Sequence, residues 1–125
     1  MSYDIMIICS DTPHGEVEDM LDVAKLIAAV EGFPAFAMHG ISWEEQNWTD
    51  IPEFAGLYMI LNNHAPGRLP SGEFDYRAGE AECCSMHMAG GRFDLDQCYE
   101  LAAYLAKKTG ARAWDLQTGE EVVLD

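Results

Sequence analysis

Positive charge is scarce in this chain. Only 7 of its 125 residues are Lys or Arg, against 22 Asp and Glu, for a formal charge of −15. A field of that sign repels nucleic acid and anionic membrane surfaces and favours a cationic partner. Cysteines at the spacing of metal or redox motifs are also missing. The four cysteines are Cys9, Cys83, Cys84 and Cys98, and no Cys-x-x-Cys pair occurs among them. Neighbours such as Cys83 and Cys84 point to opposite faces of a strand and rarely bridge each other. No apolar run approaches the ~20 residues of a membrane-spanning helix. The start, "MSYDIMIICSDTPHG", has no basic leader, and its apolar run is too short for a secretion signal. These absences lead to the expectation of a cytoplasmic protein with free thiols.

Apolar residues make up 49% of the chain, enough for residues 1–125 to form one domain without disulfides or metal. "YDIMIIC" (Tyr3 to Cys9) is apolar on both faces apart from Asp4, as a central strand would be. In "SDTPHGE", Asp11 or Thr12 suits an N-cap and Pro13 the first helical position. Val17, Met20, Leu21, Ala24, Ile27 and Ala28 follow at helical spacing, and Gly32 with Pro34 suits the stop. Ala35 to His39 alternates like a second strand, Ser42 suits the cap of a short helix, and Gly56 to Asn62 suits a third strand. Residues 62–80, rich in Gly and Pro, look like a long loop.

"AECCSMHMA" again has strand character. Alternation puts Cys84, Met86 and Met88 on one face and Cys83, Ser85 and His87 on the other. Asp94 and Gln97 open the best helix as a capping-box pair. Leu95, Cys98, Leu101, Ala102 and Leu105 form its stripe, Lys107 and Lys108 oppose its dipole, and Gly110 ends it. "ARAWDL" and "EEVVL" flank a "QTG" turn at Gly119. The order β-α-β-β-β-α-β-β predicts an α+β two-layer sandwich, a mixed sheet with two main helices on one face.

Four constellations carry potential chemistry. Cys83 and His87 share a strand face but are too few to hold an ion, so "ECCSMHM" reads as a core strand. "SDTPHGE" lacks the glycine pattern of a phosphate loop, and no motif places a nucleophile beside His14. A small enzyme or ligand site near His14, His39 and His64 is the rival reading. Paired carboxylates can hydrolyse glycosides, but with 22 acids in the chain such a pair arises by chance. In "WEEQNWTDIPEF", Trp43 and Trp48 are interleaved with Glu44, Glu45, Asp50 and Glu53. Five residues on a helix separate the two rings, so at least one is expected at the surface; the alternative is that both cap the core under the loops, the preferred reading for Trp43. An exposed aromatic anchor ringed by acids suits a basic protein partner.

The C-terminal stretch "LAAYLAKKTGARAWDLQTGEEV" carries a resemblance. Its helix from Leu101 to Gly110, then Trp114, Asp115, Gln117, Thr118, Gly119 and Glu120, resembles the ending of immunity-protein families from bacterial polymorphic-toxin systems. Leu116 stands where the usual form has proline. The resemblance spans about a fifth of the chain, and its turn chemistry is common to many folds. It implies a small protein, neither enzymatic nor cofactor-dependent, that occludes a cognate toxin domain.

Overall fold

The computed structural model of the chain describes residues 2–124. Its centre is β1 (Ser2–Ile8), flanked by β6 (Cys83–Ala89) on one side and β7 (Arg112–Asp115) on the other; β3 (Leu57–Asn62) lies beyond β6. A second sheet joins β2 (Leu21–Asp22), β5 (Phe74–Ala81) and β4 (Ala65–Arg68). Helices α1 (Val23–Gly32), α2 (Pro34–Met38) and α3 (Leu95–Thr109) complete an α+β architecture. Ile5, Ile7, Cys84, Met86 and Met88 form one core with the buried sides of α1 and α3. The expected split of β6 therefore holds.

Every named pairing in both sheets is antiparallel, which corrects the single mixed sheet. The cause lies at Ala35–His39, expected as a strand. Pro34 occupies the first turn of α2, where its missing N–H costs nothing. Alanine and methionine favour the helix that follows. The alternation that mimicked a strand reduces to one buried side chain, Phe36.

The first helix also begins later than expected. Asp22, not Asp11 or Thr12, caps α1 by accepting from the Lys25 N–H at 3.1 Å. Val23, Leu26, Ile27 and Val30 form its buried stripe, while Ala24 and Ala28 face solvent. Residues 10–20 loop across the end of the sheet instead. There Val17 packs with Ile8, Cys83 and Trp114 on the face opposite the helices. Gly32 ends α1 without a left-handed conformation, and Phe33 is extended ahead of Pro34.

Residues 62–80, expected as a loop, contain the β4–β5 hairpin. Its Pro66 is tolerated because β4 is an edge strand. Gly79 has φ +90°, and a Cβ there would lie 2.0 Å from the Ala65 carbonyl oxygen. Only glycine fits that approach. β5 leads into β6 through Glu82 alone, so one nearly continuous run of chain serves both sheets.

The C-terminal half follows local signals closely. Asp94 caps α3 through the Gln97 N–H, and Gly110 closes it at φ +71°. Gly119 takes φ +74° in the "QTG" turn, but "EEVVL" supplies only an isolated bridge from Glu121 to Trp114 rather than a strand. Asp115 is buried and accepts from the hydroxyls of Tyr3 and Tyr99 and from the Gln117 and Thr118 backbone N–H groups. Burial opposes its charge, yet these donors outweigh it and hold its carboxyl below the usual range.

Burial pushes the Cys84 thiol up to about 12, so it is neutral throughout the physiological range. Cys84→Ser should cost about 1–3 kcal/mol in urea unfolding, because a hydroxyl there is buried without a designed partner. Cys83→Ser should cost less than about 1 kcal/mol, since serine keeps the donor that Asn62 now offers the sulfur. Equal losses would contradict the assigned faces.

Candidate partner-binding surface

The acidic segment lies between α2 and β3 and contains two 3-10 turns, Asn47–Asp50 and Pro52–Phe54. Its tryptophans do not reach the surface. Trp43 is 7% exposed and Trp48 is 0% exposed, their ring centroids 5.8 Å apart. Trp48 stacks on Phe36, and its indole N–H donates to the Leu57 carbonyl. The expectation of an exposed tryptophan anchor is therefore corrected. Residues 43–46 turn back instead of continuing as a helix, so five-residue helical spacing never applies.

The turn also protects the outer edge of β3. Gln46 adopts a left-handed backbone (φ +47°). Its side-chain amide donates to the Met59 carbonyl at 2.9 Å and accepts from the Met59 N–H at 3.2 Å. One glutamine thus stands in for a neighbouring strand at an edge otherwise open to pairing.

The four carboxylates divide into two kinds. Glu44 is engaged: the Tyr76 hydroxyl donates to it at 2.7 Å, the Ser42 hydroxyl at 2.8 Å, and Arg77 Nε lies at 3.0 Å. Tyr76, then Ser42, then its own backbone N–H lower its carboxyl to about 2, with Arg77 adding to them. Arg77 also reaches Glu31 on α1 at 2.6 Å, and Glu31 accepts from the Trp43 N–H at 3.0 Å. Helix α1, the acidic segment and β5 are joined through this network. Glu45, Asp50 and Glu53 are exposed, and none forms an ion pair among the described residues. Asp50 and Glu53 border a cavity of about 430 Å³, lined also by His39, Asn47, Ile41, Ile51 and Pro52.

The histidines of the rival reading are dispersed. His14 is exposed in the loop after β1, His39 follows α2, and His64 sits before β4, its Nε2 donating to the Ala78 carbonyl at 3.2 Å. Of the three, only His39 lines the 430 Å³ cavity. Cys83 and His87 share a face, but four residues along a strand span about 13 Å, too far for one ion at ~2 Å ligand distances. Asn62 donates to both Cys83 and Ser85. Among the described residues, no three His, Cys, Asp or Glu side chains are grouped to hold a metal.

Sequence reasoning missed the open face of the four-stranded sheet. Tyr58 and Ile60 are 47% and 43% exposed there, with Met6 half-buried nearby. His87 Nδ1 lies 2.5 Å from Asp4, and its ring stacks on Tyr58 with centroids 4.9 Å apart. The available signal was Asp4, a carboxylate in an otherwise apolar central strand. The pair fixes the orientation of one imidazole on a surface of mixed polarity.

Two substitutions test these assignments. Trp48→Ala should lower folding stability by about 3–5 kcal/mol in urea titration, as for a large buried aromatic. Tyr76→Phe should move the Glu44 carboxyl up from about 2 towards its ordinary 4.5, followed by carboxyl ¹³C shifts. Because the folded value is the lower one, the parent keeps this contribution above pH 4.5 and loses it as pH falls through about 2.

No protein-family model fits the chain, and no curated protein is significantly similar to it.

Proposed function

From a surface of unpaired carboxylates on a well-rooted segment, we propose that this chain is a non-enzymatic binding protein. It neutralises a basic protein partner by covering the partner's cationic surface. The C-terminal resemblance supports a bacterial toxin domain as that partner.

The observation that carries this reading is the pairing of a fixed backbone with unpaired acids. Trp43, Trp48, Ile51 and Phe54 root the segment in the core, while Glu45, Asp50 and Glu53 project from it. A backbone already ordered before encounter loses little freedom on binding. The surrounding field favours the same partner: no Lys or Arg occurs between Lys25 and Arg68. Of the seven basic residues, Arg77 and Arg112 each already engage two carboxylates. A surface of this sign accelerates encounter with a cationic cleft and competes with any polyanion that the cleft binds.

The test requires a basic toxin domain encoded beside the gene for this chain; if none is encoded there, the reading loses its partner. Its association should be fast at low ionic strength and slow as salt screens the field over a Debye length of about 8 Å at physiological salt. Replacing Glu45, Asp50 and Glu53 by Lys should lower the on-rate by about tenfold or more at low salt. Lysine at Glu100 and Glu120, which are also exposed, should do less. Glu44 is left intact because it holds β5 in place. Salt-independent association, or an unchanged rate in the triple variant, would refute the reading.

A further inference from the structure

We infer that the cavity bordered by Asp50 and Glu53 is a receptor for one arginine side chain of the basic partner. The inference rests on the binding reading above and names the chemistry of its central contact. Shape and charge support it together. The volume of about 430 Å³ falls within the roughly 300–1,000 Å³ typical of ligand sites. Its lining is mixed: Ile41, Ile51 and Pro52 supply the apolar part, beside His39 and Asn47. Its border carries two carboxylates without ion-pair partners among the described residues and no Lys or Arg.

An arginine matches both features. Its methylene stem can lie along the isoleucines, and its weakly hydrated planar guanidinium can donate to carboxylate in a two-pronged arrangement. Lysine presents a strongly hydrated point charge and cannot make the two-pronged contact. Asn47 uses its side-chain oxygen to accept from the Ser42 N–H. A second copy of this chain is a poor occupant, because two molecules of charge −15 repel each other.

The experiment titrates ¹⁵N-labelled protein with the capped tripeptide Gly-Arg-Gly at low ionic strength. Peptides with citrulline or norleucine in place of arginine serve as controls for shape without charge and for apolar contact alone. Saturable amide shifts should concentrate at Ile41, Asn47, Ile51 and Glu53 with the arginine peptide and be absent with citrulline. The double variant Asp50→Asn, Glu53→Gln keeps the shape of both exposed side chains and should bind about tenfold more weakly or worse. Equal shifts with citrulline or norleucine would overturn the assignment. So would arginine shifts spread over the acids of residues 11–22 and α3, or a double variant that titrates like the parent. If the cavity fails while the triple lysine variant still slows partner association, only this assignment falls. Salt-independent partner association removes the binding reading, while the peptide titration still decides whether the cavity takes arginine.

Discussion

The aromatic cluster of Phe33, Phe36, Trp43, Trp48 and Phe54 governs the arrangement of the surrounding chain. Phe36 lies 4.8 Å from Phe54 and 5.7 Å from Trp48 between ring centroids, and Phe33 contacts both phenylalanines. These rings come from α2, the turns after it and the end of α1, and they pack against one another within the same core as the sheet. Pairs of this kind add about 0.5–1.5 kcal/mol beyond the area they bury. The cluster lets α2 be so short and holds an irregular segment in one conformation. Its solvent side is then a fixed platform for Glu45, Asp50 and Glu53.

Arginine ties complement that packing. Arg77 joins α1 to the acidic segment, and Arg112 joins Glu121 to Asp11 in the loop after β1. Each fastens irregular chain to a regular element. Both are partly exposed, so their value lies in geometry more than in stability. With two of so few cations used internally, the remaining acidic surface has little to neutralise it. Structure and charge thus converge on the same feature: carboxylates that the fold positions but does not pair.

The open sheet face offers a contrast. Tyr58 and Ile60 are exposed beside the Asp4–His87 pair, whereas the sheet's far end is covered by Val17 and the loop around it. This face presents apolar surface with little free charge, and the cavity near Asp50 presents free charge beside apolar side chains. Of the two, only the second suits the proposed basic partner.

What the sequence determined by itself were the features where several local signals agreed. The faces of β6 follow from alternation, the limits of α3 from Asp94 and Gly110, and the closing turn from Gly119. The α+β class follows from those elements together. Tertiary structure decided the rest, because the competing local signals were nearly balanced. Ala35–His39 has the alternation of a strand and the composition of a helix, and burial of Phe36 among distant rings resolved the conflict. β4 and β5 contain Pro66, Gly67 and Gly79, which oppose strand formation until neighbouring strands supply hydrogen bonds. The tryptophans illustrate the same limit. Their spacing along the chain contains no information about Phe36, which stacks on Trp48, or about the Leu57 carbonyl, which accepts from its indole; Trp43 packs on Trp48 in turn, and the neighbouring carboxylates are left outside.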